Sequence, residues 1–307
     1  MTRTRPRGAT LALLLTLSLL GCKSERTGGA AAETKKQDRR LELVYVEWDS
    51  EVASTNLVRA VLEQRLGYRV ELTPVSAAAM WQALAAGDAD AMVAAWLPTT
   101  HGHYLERFKD KLIDLGPNLV GTRIGLAVPA YVDVKSIADL GPKAKLFDGK
   151  LVGIDPGAGV MSKTEEAIKA YGIKGIEIVE GSGATMTAAL ADAIKNKQPI
   201  VVTAWTPHWK FARWELKYLE DPKNVFGGDE QIHTFARKGL LEEHPDACAF
   251  LDAFHWSPAQ MAELMMKNRE NNQPYENAKK WVAEHPKEVD AWLAAINKKG
   301  GGEAVAK

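Results

Sequence analysis

Met92-Val93-Ala94-Ala95-Trp96-Leu97-Pro98 and Ile200-Val201-Val202-Thr203-Ala204-Trp205-Thr206-Pro207 are two copies of one phrase, an apolar strand that ends in Ala-Trp-x-Pro. Each copy follows a helical pattern that opens on a methionine, Met80 or Met186, with Leu84 or Leu190 one turn further on. A helix feeding a buried strand is half of a parallel α/β unit, and in open α/β sheets ligands sit beyond the carboxyl ends of the strands. Both tryptophans are therefore expected at a ligand position. Two such units, well separated in the chain, predict an α/β protein of two similar lobes, each presenting an indole to a shared cleft.

Upstream of the first copy, Leu41 to Val46 reads as a strand. Val58, Val61, Leu62 and Leu66 then share one helical face, with Asp49 or Ser50 as the N-cap. Arg69 to Thr73 reads as a strand and Ser76 to Ala86 as a helix closed by Gly87-Asp88. The turn that holds Trp48 is thereby expected at the same sheet edge as Trp96. Downstream, Arg123 to Val128 is a strand, and Pro129 marks the place where the chain is expected to leave the first lobe. Leu151–Ile154, Glu177–Val179 and Ile200–Ala204 read as strands, alternating with helices at Met161–Tyr171 and Ala184–Lys197. Gly227-Gly228 precedes a return strand at Ile232–Ala236, and His244 to about Lys298 is helical and expected to pack back on the first lobe. The expected division is residues 41–129 with 230–298 as lobe 1 and 130–229 as lobe 2. Two crossings between lobes make a hinge that can open and close a cleft.

A chain of 307 residues, 46% apolar and 25% charged, can furnish cores for two such lobes. Lys+Arg and Asp+Glu balance at 39 each, so no global field draws the protein to nucleic acid, and no nucleic-acid partner is expected. Arg3, Arg5 and Arg7 precede an apolar run from Leu11 to Leu20 that is too short for a stable membrane span and reads as an export signal. Leu19-Leu20-Gly21-Cys22 resembles a bacterial lipobox, which makes residues 1–22 a lipoprotein signal peptide with Cys22 as the lipid-bearing mature N-terminus. An ordinary signal peptide that contains a Cys is the other reading. Residues 23–40 have the composition of a solvated tether, and no later apolar run is long enough to span. Cys248, in the helical stretch Asp246 to Leu251, reads as a buried small hydrophobe, with neither a disulfide partner nor a thiolate cluster.

Trp48, Trp96 and Trp205 all follow or end strands. Three indoles converging on one cleft suit a weakly hydrated cation, and a quaternary ammonium meets that description, since a methylated nitrogen cannot donate a hydrogen bond. Any single Trp can instead be core, and Trp81, Trp209, Trp214, Trp256, Trp281 and Trp292, within helical or irregular stretches, are read that way. Ile154-Asp155-Pro156-Gly157-Ala158-Gly159-Val160 joins a strand to a helix and offers backbone N–H groups at a positive helix end, an anion seat. It is not a nucleotide loop, because Ser162-Lys163-Thr164 lacks the Gly in front of Lys. His101, in Pro98-Thr99-Thr100-His101-Gly102-His103, has three readings: a donor to an anion, a solvated side chain, or half of a His-x-His metal pair. No nearby carboxylate or Cys completes the last. An enzyme acting on methylated amines is the alternative class, yet no Gly-x-Ser-x-Gly, no His-Glu-x-x-His and no redox-cofactor fingerprint is present.

Together, Tyr45-Val46-Glu47-Trp48-Asp49-Ser50-Glu51, Ala95 to His101, Gly153 to Gly159 and Thr203-Ala204-Trp205-Thr206-Pro207-His208-Trp209 resemble the glycine betaine substrate-binding proteins of ABC importers, over nearly all of Leu41 to Trp292. The resemblance implies a two-lobed, periplasmic-binding-protein-like Venus flytrap with a ligand cleft between its lobes. It implies a tryptophan prism around a trimethylammonium group, here Trp48, Trp96 and Trp205, and a carboxylate held by the N–H groups of Gly159 and Val160 and by the His101 imidazole. Some relatives carry a cage Trp inside the Gly-rich turn, where this chain has Ala158; Trp48 then supplies the third wall. The implied function is extracytoplasmic capture of glycine betaine or a related betaine and delivery to an ABC permease with its ATPase, without catalysis or cofactor. A choline or carnitine binder is the nearer rival. The address is the periplasm or the outer face of the cytoplasmic membrane, with a lipid anchor at Cys22.

Overall fold

Why these segments become strands and helices is visible in how their side chains are buried. β1 (Arg40–Tyr45) is largely buried and β3 (Ala91–Leu97) is buried at every residue, as expected of strands covered on both faces. Between them come α1 (Asp49–Leu66), β2 (Arg69–Pro74) and α2 (Ala77–Ala86). The computed structural model describes residues 39–299, with side chains through Ile296; the leader, Cys22 and the tether up to residue 38 lie outside the described residues.

After α3 (Gly102–Phe108) the chain enters β4 (Leu112–Pro129), then β5 (Lys150–Val152), α4 (Gly159–Tyr171), β6 (Glu177–Val179), α5 (Gly183–Lys195) and β7 (Val202–Thr206). α6 (Trp209–Arg213), β8 (Leu216–Tyr218) and β9 (Glu230–Arg237) follow. The chain ends in helices α7 (Leu240–Glu243), α8 (Pro245–Ala253), α9 (Pro258–Asn271), α10 (Pro274–Glu284) and α11 (Pro286–Lys299). Sheet order is β2-β1-β3-β9-β4-β7-β5-β6, with β8 on β4. The β1–β2, β1–β3, β5–β6 and β5–β7 pairs are parallel. β9 is antiparallel to β3 and β4, and β7 and β8 are antiparallel to β4.

β4 joins the two halves of this sheet. Its residues up to Thr122 pair with β9, and from Arg123 to Ala127 they pair with β7. The strand expected from the sequence, Arg123 to Val128, covers only the second of these segments; the first contains Gly116, Pro117 and Gly121, residue types that interrupt a strand pattern. The structure absorbs them as register shifts against β9, and Gly116 (φ 92°) and Gly121 (φ 86°) adopt the left-handed backbone that such irregularities need.

The two repeated units fold as their pattern predicts. Met80 and Leu84 of α2, and Met186 and Leu190 of α5, are buried, and each helix leads into the strand that carries Trp96 or Trp205. Truncating any of these four to Ala leaves a cavity costing roughly 2–5 kcal/mol. Ser76 caps α2 by accepting from the Ala79 N–H, and Gly87 ends the helix in a left-handed conformation (φ 82°). α1 departs from expectation at its start. Asp49 and Ser50 are its first residues, not its cap; Trp48 holds that position and makes no side-chain cap bond. The Asp49 carboxylate is engaged elsewhere, and the Ser50 hydroxyl donates to Glu51. α9 and α10 pack on α1, and α8 packs on α11. Cys248 is buried within α8. Among the described residues, no helix is long and apolar enough to cross a membrane.

Candidate functional site

Parallel pairing of β1 with β3 sends Trp48, just past β1, and Trp96, near the end of β3, to the same sheet edge. Trp205, near the end of β7, approaches from the other half of the sheet. The three indoles line one cavity with Thr100, Ile124, Ile154, Ala158, Gly159 and Val160. The cavity is small, with a volume of about 20 Å³. The walls are nearly dry: Trp48, Trp96 and Trp205 are 7%, 3% and 4% exposed.

Gly159 and Val160 are the first two residues of α4, which starts two residues earlier than its sequence pattern indicates. Their N–H groups have no intrahelical carbonyl to bond, so the positive end of α4 opens on the cavity. Gly159 is required there by packing. A Cβ on it would lie 2.4 Å from both Cγ2 and the carbonyl oxygen of Thr100, which belongs to the opposite half of the sheet. The Leu97–Pro98 and Thr206–Pro207 bonds, in the two copies of the repeated phrase, are both cis.

His101 is fully buried behind this wall, stacked on Trp48 at 6.0 Å between ring centroids, and is not among the residues that line the cavity. Burial, assisted by the neighbouring His103, pushes its pKa down to about 3, so the ring is neutral at physiological pH. The Trp96 N–H donates to Nδ1 at 3.1 Å, which leaves the single ring proton on Nε2. The ring also has the Ala94 backbone within reach as an acceptor. His103 is exposed, its ring against Tyr104. Among the described residues, no group of His, Cys, Asp and Glu could hold a metal ion.

Several residues around the cavity escape a reading by motif. The Trp96 Nε1–H donates to Glu51 Oε1 at 2.7 Å, and Glu51 is fully buried in the first turn of α1. Burial pushes its carboxyl up to about 7, against the opposing hydrogen bonds from Ser50 and Trp96. The Trp48 Nε1–H donates to Asp155 Oδ1 at 2.9 Å. Glu230, at the start of β9, accepts from the Thr99 and Thr100 N–H groups, both at 2.7 Å, and from the Thr100 hydroxyl, and so fixes the turn after Trp96.

Asp49 ties the two sides of the cavity together. It accepts from Trp209 Nε1 at 2.9 Å and lies 3.2 Å from His208 Nε2. Burial alone would raise its carboxyl, but His208, Trp209 and nearby Lys210 outweigh it and hold the group below the usual carboxylate range. Lys210 is fully buried, with Nζ 4.0 Å from the centre of the Trp205 ring. Burial lowers its pKa to about 7, with Asp49 opposing. Of the tryptophans read as core, Trp81, Trp209, Trp256, Trp281 and Trp292 are buried, and Trp214 is half-buried against Trp209. Trp209 combines its burial with the bond to Asp49.

A family model described as the substrate binding domain of ABC-type glycine betaine transport systems, OpuAC, matches residues 39–284. The chain is 45% identical over 155 residues to the glycine betaine/carnitine transport binding protein GbuC of Listeria monocytogenes, a stretch that covers 50% of this chain and 52% of that protein. It thus spans about half the length of this curated relative. Among solved structures, lactococcal OpuAC in its closed-liganded conformation with glycine betaine superposes with a TM-score of 0.79 at 42% identity, covering 83% of this chain and all of the other. ProX from Borrelia burgdorferi, a glycine/betaine/L-proline-binding protein, gives 0.81 at 38% identity, over 84% of this chain and 98% of its own. A choline binding protein in complex with choline gives 0.78 at 26% identity, over 86% and 99% of the two chains. The fold is therefore that of the periplasmic-binding-protein-like structures, and these relatives are substrate-binding proteins of ABC transporters, not enzymes. The chain belongs to the family of substrate binding domains of ABC-type glycine betaine transport systems.

Proposed function

We propose that the protein captures glycine betaine, or a closely related betaine, between two lobes and hands it to an ABC permease. The observation that carries this reading is the opposition, across one small dry cavity, of three indoles and the N-terminus of α4. Neutral indole faces attract a quaternary ammonium, while free N–H groups at a helix start attract a carboxylate. A zwitterion with both groups a few ångströms apart satisfies both ends. In this reading Trp48, Trp96 and Trp205 enclose the methylated nitrogen, and Gly159 and Val160 N–H with His101 Nε2–H donate to the carboxylate.

The lobes are residues 41–129 with 230–298 and residues 130–229, and they close by bending where β4 changes partner and where the chain returns to β9. Trp48 to Asp155 and Trp209 to Asp49 are contacts that a closed cleft makes and an open one loses. Cys22 carries the lipid that holds the protein at the outer side of a membrane. The support for this is the run Leu11 to Leu20, which ends in Leu19-Leu20-Gly21-Cys22, and mass spectrometry of the membrane fraction, with Cys22→Ser released as soluble protein, tests it.

Isothermal titration with glycine betaine, proline betaine, choline, carnitine and proline tests the ligand. Glycine betaine should bind at least about tenfold more tightly than choline, which offers the cation and leaves the anion seat unpaired. His101→Ala should narrow that gap. Equal affinity for the two ligands would favour a choline site, and no heat from any quaternary ammonium would overturn the reading.

A further inference from the structure

Two of the three tryptophan walls are backed by a carboxylate and the third by an ammonium. The Trp96 indole N–H donates to Glu51 at 2.7 Å and the Trp48 indole N–H to Asp155 at 2.9 Å. Trp205 Nε1 has no partner, and the Lys210 ammonium nitrogen lies 4.0 Å from the centre of its ring. Taking the cavity as the quaternary-ammonium site proposed above, we infer that Glu51 and Asp155 tune their indoles toward a permanent cation and that Lys210 opposes them. The charge behind each ring then sets how strongly the cage distinguishes a methylated nitrogen from a neutral group of the same shape.

The physical basis is direct. An indole attracts a cation through the electron density of its face. A hydrogen bond from the ring N–H to an ionised carboxylate pushes density into the ring and adds negative charge close behind it, where little water screens the field. An ammonium over the face of Trp205 does the reverse, because it already occupies the attraction of that ring.

Shape alone does not account for Glu51. A glutamine would accept the same Trp96 N–H, with the Ser50 hydroxyl turned to accept from its amide, and fill the same space without the cost of burying an ionised group. The cost is real here, since burial holds this carboxyl near 7. A cation arriving on the other side of the ring supplies the compensation. His101 and His208 are both held at about 3 by burial and stay neutral, so neither imidazole adds charge to the walls.

The test compares glycine betaine with 3,3-dimethylbutyrate, which keeps the carboxylate and replaces the quaternary nitrogen by carbon. Both are titrated into the full chain at neutral pH, the weaker ligand by competition. Glu51→Gln should lower the ratio of betaine to isostere affinity by about tenfold and Asp155→Asn by about threefold, and Lys210→Met should raise it. A role in packing alone weakens both ligands together, so a ratio that stays within about twofold in all three variants overturns the inference and leaves the proposed function standing. A wild-type chain that binds the isostere as well as betaine also overturns it. Failure of the wild-type chain to bind betaine at all would instead remove the functional reading on which the inference rests.

Discussion

Trp96 and Trp205 each form one wall of the cavity, and each is replaceable by Ala without touching the strand pairing that holds it. Removing either ring from a desolvated cation site should cost about 2 kcal/mol, roughly thirtyfold in betaine affinity, with Phe milder than Ala. Titration of the two Ala variants checks this, and wild-type affinity in either would reassign that Trp to the core. Glu51 leads to a prediction about stability. Its carboxyl ionises near 4.5 in an unfolded chain and near 7 in the folded one, so between those values the folded state holds a proton that the unfolded state has lost. Stability contributed by this residue is therefore greatest below about pH 4.5 and falls as pH rises to about 7. Glu51→Gln should match wild type near pH 4.5 and exceed it near pH 8 by an amount on the order of 3 kcal/mol, read from denaturant unfolding at the two pH values.

At the level of elements, the start of α4 and the turn after β3 meet at a distance that only glycine allows. Gly159→Ala sets a methyl group 2.4 Å from the Thr100 backbone, which the far end of a flexible side chain could escape but a carbonyl cannot. Closing the cleft then requires a shift of the α4 N–H groups, at about 1–3 kcal/mol, and betaine affinity should fall by tenfold or more. Gly157, two residues earlier in the same turn, has open space where its Cβ would be, and Gly157→Ala should bind as wild type does. Equal effects of the two substitutions would show that loop entropy, not close approach, governs this turn. Most of these elements were legible in the sequence. The exceptions have physical causes. The first half of β4 was hidden because glycine and proline signal turns locally but are tolerated at irregularities against β9. The cap of α1 was misread because Asp49, a strong capping residue in isolation, is drawn to Trp209 from a distant part of the chain.

For the whole molecule, the lobe closure proposed above would determine how the site responds to its medium. The charged ends of the proposed ligand meet neutral indoles, backbone N–H groups and a neutral His, all shut from solvent, and a zwitterion has no net charge for salt to act on at range. Betaine affinity should therefore change by less than about fivefold between roughly 0.1 and 1 M NaCl, even though the screening length falls from about 10 to 3 Å. Titrations at the two concentrations test this. A hundredfold loss would mean that exposed charges hold the ligand.

The sequence by itself determined the α/β class, the repeated helix–strand units and the three tryptophans, because burial periodicity and strand-end position are local properties written within a few residues. It also marked the Gly-rich turn as a helix start open to an anion. Only the tertiary structure decided what stands behind those residues. That Glu51 backs Trp96, that Asp155 holds Trp48 and that Glu230 fixes the turn at Thr99 and Thr100 are contacts across the fold, the last two between residues more than a hundred positions apart in the chain. No local pattern encodes such partners, since a carboxylate reads the same in sequence whether it faces water or an indole. Folding decides which of them is buried, and burial is what shifts the ionisation of Glu51 and Lys210.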